Sequence, residues 1–402
     1  MSRLLKNLIE VNLYRWVLWI FIFLFATCTL DCSAADKQNF PLNPVLNQGK
    51  KWRIAYYEGG PYTNYPDNLK ALAIALSDIG WLNKFSIPDF PDRSDTAHMW
   101  QWLCNNIKSD YIQFVSDAYW SGNWNENLRK HNRSAALNRM NRTKDIDLML
   151  AMGTWAGQDF ANNEHSVPTV VISASNPINS GIARSINDSG FDHINARVDP
   201  ARYQLQLSIF YNAFHFKKLG IVYDMETSEG KSYASIDDIK KSASEHGYEI
   251  IACHAPSANT SRREANDAII KCYTEIAAKV DAVYITAHRG VTLDNLHVLL
   301  APLNAKGIPT FSQQNSEEVR YGVLMSISQA GFKYVTRYHA ETIAKIFNGA
   351  KARDLPQLFE DPLRIALNLK TASIIGYNPP MEILDAADEI FEEIQVSQAI
   401  NE

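Results

Sequence analysis

The 402-residue sequence has little that marks an enzyme or a nucleic-acid-binding protein. There is no GxSxG nucleophile elbow, no HExxH and no glycine-rich loop running into Lys-Ser or Lys-Thr. Glu58-Gly59-Gly60 follows a strand-like run but lacks the GxGxxG spacing, so it reads as a tight turn rather than a dinucleotide fingerprint. The ten histidines show no i, i+4 pairing and the five cysteines no CxxC, which removes the common metal and redox motifs. Lys and Arg number 39 against 44 Asp and Glu, and the pI is near 6.1. Sequence-independent nucleic-acid binding needs the opposite balance. After residue 40 no run approaches the ~18 uninterrupted apolar residues of a membrane span. The expectations are no catalysis, no cofactor, no metal and no nucleic-acid partner. A hydrophobic content of 46% with 21% charge is that of a folded globular chain. At roughly 100–200 residues per domain, the length corresponds to two or three units.

The N-terminus stands apart. Arg3, Lys6 and Arg15 precede an apolar run from Trp16 to Ala26, and the segment closes on Ser33-Ala34-Ala35. A charged lead, a short apolar core and small residues before the cut form a secretory signal, so residues 1–35 are expected to be removed. An uncleaved N-terminal anchor is the other reading. Neither Phe25-Ala26-Thr27 nor Thr29-Leu30-Asp31 makes a lipobox. The mature chain then keeps Cys104, Cys253 and Cys272, an odd number that leaves at least one free thiol. Cys253 and Cys272 fall on an expected strand and the following helix, where they either pair or act as small buried apolar groups.

Past Phe40 the pattern alternates. Strand-like runs occur at 53–57, 111–115, 147–152, 168–174, 218–223, 248–253, 281–286, 308–312, 323–327 and 363–369. Helical spacing occurs at 68–79, 97–107, 154–162, 200–214, 231–245, 262–279, 292–305, 333–348 and 381–395. Such alternation implies an α/β fold with parallel sheets covered on both faces. The polar segment 175–199 divides two series of similar size, giving two doubly wound, Rossmann-like lobes of about five strands each. Ligands of such sheets bind beyond the carboxyl ends of the strands. Four tryptophans between 100 and 124 either pack an extra helix onto the first lobe or, at Trp120 or Trp124, cover a ligand or partner.

The strand ends supply the candidate site. Thr154 and Trp155 open a helix where backbone N–H groups and a hydroxyl could take an anion. Ser175 and Asn176 follow the next strand, and Asp224, Thr286, His288, Gln313 and Gln314 occupy equivalent ends in the second series. Tyr62 and Trp155 offer flat apolar faces for a ring.

The sequence resembles the type I periplasmic binding proteins, specifically the ABC-transporter substrate-binding family often linked to aromatic amino acids. The resemblance spans most of 52–395. It is carried by Asp147-Leu-Met-Leu-Ala-Met-Gly-Thr154, by Pro168 to Gly181, by Lys218-Leu-Gly-Ile-Val-Tyr-Asp224 and by Asp281-Ala-Val-Tyr-Ile-Thr286. Gly307-Ile-Pro-Thr310, the Ile343–Gly349 segment, Asn368-Leu-Lys-Thr-Ala372 and Pro379-Pro380 continue it. It implies ligand contacts at Thr154, Asn176, Asp224, Thr286 and Gln314. Two acidic positions of the family are replaced, one by Gln313-Gln314 and one within Gln329-Ala330-Gly331. Residues 91–125 form an insertion. Losing those carboxylates weakens the case for an α-amino-acid ligand.

The reading that follows is a monomeric periplasmic solute-binding protein. It closes by hinge motion on a small, ring-bearing ligand and delivers it to an ABC transporter permease. Its N-terminal lobe comprises 36–177 and 329–360, and its C-terminal lobe 178–328 and 361–402. A periplasmic sensor subunit serving a membrane signalling protein is the alternative.

Overall fold

The computed structural model describes residues 39–88, 90, 95–327, 332–360 and 364–396. The expected signal segment and the Gln329-Ala330-Gly331 replacement lie outside them. Twelve strands form two sheets within one compact unit. The first sheet contains β1 (Trp52–Glu58), β2 (Ile112–Ser121), β3 (Leu148–Met152), β4 (Thr169–Ile172) and β5 (Ile194–Ala196), in the order β2-β1-β3-β4-β5. The second contains β6 (Lys218–Tyr223), β7 (Glu249–His254), β8 (Ala282–Ile285), β9 (Thr310–Ser312), β10 (Met325–Ile327), β11 (Ile365–Asn368) and β12 (Ala387–Phe391). Its order is β12-β11-β10-β9-β8-β6-β7. All pairings are parallel except β10 with β11. Central strands such as Leu-Met-Leu-Ala-Met in β3 are buried at every position, as a sheet covered on both faces requires. The expected α/β fold of two doubly wound lobes is the one observed.

Four expectations about individual elements differ from the structure. First, residues after 177 do not pass directly to the second lobe. β5 pairs with β4, Thr169 against Ile194, and Ile182 and Ile194 enter the core with Ala55 and Val171. The crossover therefore follows Ala196. A three-residue strand is too short to show a period, which hid it in the polar segment. Second, the helix expected over 381–395 is a single turn, Met381–Asp385, followed by β12. Burial there alternates, and the strand takes the sheet edge beside β11. Third, β2 runs to Ser121, so the aromatic stretch after Val115 is sheet rather than loop. Tyr119 and Trp120 lie beside Tyr56 and Tyr57 of β1 past a register shift. Fourth, the helix Glu126–Asn138 buries only Asn132 and Ala136, too little apolar periodicity to be read beforehand.

The chain returns to the first lobe late. The helix Lys333–Phe347 packs on the helix Asn64–Asp78, and Phe347 stacks on Trp52 at 4.3 Å. Two crossing segments then pair. Val198 N–H donates to the Gln357 carbonyl at 2.7 Å, and Phe359 N–H to the Val198 carbonyl at 3.1 Å. The expected crossings at 328/329 and 360/361 fall at the edges of segments outside the described residues. Cys253 and Cys272 are disulfide-bonded, tying β7 to the helix Arg262–Ile276, and Cys104 is free.

Candidate ligand site in the interlobe cleft

The carboxyl ends of the two sheets face each other. From the first lobe, the turn after β1 brings Tyr62, the start of the helix Asn64–Asp78 brings Tyr65, the turn after β2 brings Trp124, and the turn after β4 brings Ser173 and Ser175. From the second come Tyr233, Ser257, His288, Arg289 and Gln314. They enclose an inner pocket of about 40 Å³. Tyr62, Trp124 and Arg289 also line an outer pocket of about 290 Å³, whose far wall is Thr260, Ser261, Arg262 and Thr292.

The lobes touch around this space. Asn64 Nδ2 donates to Gln314 Oε1 at 3.0 Å, and Asn315 Nδ2 donates to Asn64 Oδ1 at 2.7 Å. Asn259 N–H donates to the Trp124 carbonyl at 3.0 Å, and the Trp124 ring meets Tyr233 edge-on at 6.4 Å. Trp124 holds φ +57, rare for a bulky side chain, and its Nε1 donates to the Pro61 carbonyl. Gly60 makes room for it, since a Cβ there would sit 2.6 Å from Trp124 Cδ1. Gly153 serves Tyr65 in the same way. Its φ is +87, and a Cβ would lie 2.0 Å from the Tyr65 hydroxyl.

Of the residues expected from sequence, Tyr62, Ser175, His288 and Gln314 line the inner pocket. The others stand behind it. Thr154 is fully buried and its hydroxyl accepts from Ser175 N–H at 3.4 Å, which binds one loop to another. Trp155 is buried under Arg129, 4.5 Å from its ring, and against Trp124. Asn176 Oδ1 accepts from Asn179 N–H and closes its own turn. Asp224 receives Glu226 N–H at 3.1 Å and Ser257 N–H at 2.9 Å, so its carboxylate holds backbone instead of facing the cleft. Thr286 donates to the Val222 carbonyl. Gln313 accepts from Ala287 N–H and donates to the Tyr233 carbonyl and the Ser235 hydroxyl. Thr154, Trp155, Asn176, Asp224, Thr286 and Gln313 thus line neither of these two pockets in the structure. In the second lobe, Asp224, Thr286 and Gln313, each directly after its strand, satisfy neighbouring backbone, and His288, Arg289 and Gln314 beyond them reach the opening.

His288 has no proton to offer a ligand. Its Nε2 sits 3.1 Å from the Ala255 carbonyl and its Nδ1 accepts from Gly290 N–H at 2.9 Å. Burial pushes it down to about 4, so the ring is neutral.

Tyr65, Trp124, Ser173, Tyr233, Ser257 and Arg289 were not singled out as site residues, although Trp124 was marked as a candidate cover. Arg289 had a local signal, because it follows His288 at a strand end. Its Nη2 donates to the Thr260 carbonyl, and its Nε is buried without a hydrogen-bond partner among the described residues. Burial, with Arg262 nearby, lowers its affinity for its proton, though an arginine stays charged. The Tyr233 hydroxyl is likewise buried without a partner. Among the described residues no cluster of His, Cys, Asp and Glu could hold a metal. The four tryptophans between 100 and 124 differ in role, and Trp102 meets Phe85 and Phe90 on the first lobe. Trp100 and Trp120 fill the first lobe, and Trp124 covers the cleft.

Comparison with known proteins follows the same architecture. A tyrosine-binding protein of Clostridioides difficile (strain R20291) is 23% identical over 235 residues, which is 56% of this chain and 61% of that protein. The structure of an ABC domain from Streptococcus pneumoniae in complex with L-Trp superposes with a TM-score of 0.65 at 16% identity, covering 85% of this chain and all of that one. A conserved domain protein from Vibrio cholerae superposes equally, at 15% identity and the same coverage. At these identities the solved structures speak for the fold, that of type I periplasmic binding proteins. The family model described as ABC transporter substrate binding protein matches residues 121–391, from the last residue of β2 to the last of β12, and the chain belongs to that family.

Proposed function

We propose that the protein captures a small ring-bearing solute between its lobes and delivers it to an ABC transporter permease. It acts as an exported monomer, freed of residues 1–35, without cofactor or catalysis. The observation that carries this reading is the convergence of Tyr62, Tyr65 and Trp124 from one lobe with Tyr233, Arg289 and Gln314 from the other on one pocket. Aromatic faces at the wall suit a ring, and the serine hydroxyls and Gln314 suit its polar substituents. The disulfide favours an oxidising compartment outside the cytoplasm. Among the described residues no helix is long and apolar enough to cross a membrane.

Aromatic amino acids are the first class to examine, because one relative above is named tyrosine-binding and one of the solved structures is a complex with L-Trp. A thermal-shift screen of the mature chain against amino acids, aromatic acids, sugars and nucleosides tests the proposal. A true ligand raises the melting temperature by mass action, since it stabilises the native state by ~2.7 kcal/mol at a hundredfold excess over Kd. No response to any class defeats the reading of a solute-binding cleft.

A further inference from the structure

Among the described residues, the charged side chains that line the two pockets are of one sign. Arg289 lines both pockets and Arg262 the outer one, while no Asp or Glu lines either. The nearby carboxylates are engaged elsewhere. Glu264 accepts from Ser261 N–H at 2.8 Å and from the Thr260 hydroxyl at 2.9 Å. Asp224 holds two backbone N–H groups, and Glu318 is buried and accepts from the Ser312 hydroxyl at 2.6 Å. Arg289 Nε is buried, and no group among the described residues receives its hydrogen bond. A buried donor without an acceptor is costly, and a ligand carboxylate removes that cost while making a charge-assisted bond. An ammonium group against the same wall would meet Arg289 and, among the described residues, no carboxylate in the lining to pair with.

The geometry points to an aromatic carboxylic acid as the solute, with its carboxylate on Arg289, its ring among Tyr62, Tyr65 and Trp124, and no ammonium required. This assignment rests on the proposed solute-binding role and narrows it to an acid lacking the α-amino group.

Matched pairs isolate the one group in question. 3-Phenylpropanoate and indole-3-propanoate are phenylalanine and tryptophan without the ammonium, and 3-phenylpropanamide removes the charge instead. Calorimetric titration of the mature protein should show each acid binding at least about tenfold more tightly than its amino acid, a difference of about 1.4 kcal/mol. The amide should bind more weakly than the acid. Arg289→Gln should weaken the acids at least about thirtyfold, as truncation of a buried charge pair does. Arg289→Lys should restore part of that loss, and the melting temperature of each variant without ligand checks its fold. Tighter binding of the amino acids, or acid binding indifferent to Arg289→Gln, overturns the assignment and leaves the solute-binding role standing. If Arg289→Gln does not fold, the ranking of acid, amide and amino acid on the unaltered protein decides alone. Failure of every class in the broader screen removes the solute-binding role and this assignment with it.

Discussion

Gln313 and Gln314 are adjacent and chemically identical, yet one braces the lobe and the other faces the cleft. Gln313 is fully buried and satisfies Ala287 N–H, the Tyr233 carbonyl and the Ser235 hydroxyl. Gln313→Ala should cost about 2–4 kcal/mol in urea unfolding, because it leaves buried polar groups unpaired. Gln314→Ala should cost about 1 kcal/mol or less and act on ligand affinity instead. Similar losses of stability in both would show that Gln314 is also a brace. Period and composition cannot separate such neighbours, since which amide turns inward depends on the loop from β8. Glu318 gives a second test at this scale. Burial raises it to about 7 from 4.5. Below pH 4.5 its contribution to stability is complete, and it is lost as pH rises through 7, where the unfolded chain has already released the proton. His288 and His339, pushed down to about 4 and about 3 by burial, act in the opposite sense. Their contribution is present above pH 6.5 and falls away on acidification. Glu318→Gln should therefore melt higher than the parent by a margin that grows from pH 5 to pH 8, by up to about 3 kcal/mol. A margin independent of pH would show that the carboxyl titrates normally in the fold.

At the scale of elements, the disulfide is the clearest staple. It joins β7 to the next helix across 19 residues and so shortens the unfolded chain's accessible loop. Its reduction, or Cys272→Ser, should lower unfolding free energy by roughly 3 kcal/mol in denaturant titration. An unchanged midpoint would mean that the two thiols are packed but not bonded in solution. The sequence placed both cysteines correctly and left the pairing open, because strand and helix spacing alone do not fix how far apart two side chains lie. The same limit explains the elements that were misread. β5 and β12 are short, and each is stabilised by the neighbouring strand it pairs with rather than by a pattern of its own. Longer segments carried their own signal: β1 as a continuous apolar run buried on both faces, and the helix Lys333–Phe347 through the spacing of its buried residues.

For the whole molecule, the decisive property is the contact between lobes. The inner pocket of about 40 Å³ is far smaller than the ~300 Å³ or more of ordinary ligand sites. On the proposed function, a ring-bearing solute fills this inner pocket when the lobes part and the bonds of Asn64 to Gln314 and Asn315 break. In the proposed motion, the segments that pair at Val198, Gln357 and Phe359 would be the pivot. Asn64→Ala removes both bonds and should shift the ligand-free protein towards the open state, at about 1 kcal/mol per bond. Small-angle scattering should then show a larger radius of gyration for the variant, and a decrease for either protein at saturating ligand. A radius unmoved by both the substitution and the ligand would argue that the lobes are fixed. Export belongs to this scale too, and intact mass of the secreted chain should correspond to a start at Asp36. A mass that includes residues 1–35 would contradict it.

The alternation of apolar runs determined two parallel sheets and the helices covering them, because burial of one face is a local periodic requirement that each segment carries in its own residues. The order of motifs determined the family. Which residues line the cleft was settled only by tertiary structure. Thr154, Asp224 and Thr286 have the chemistry of ligand contacts, but backbone groups from loops distant in sequence consume their hydrogen bonds. Tyr65, Tyr233 and Arg289 carry no motif and become wall because facing sheet ends bring them together. A polar group's availability depends on every partner that packing brings within reach, and that information is not local.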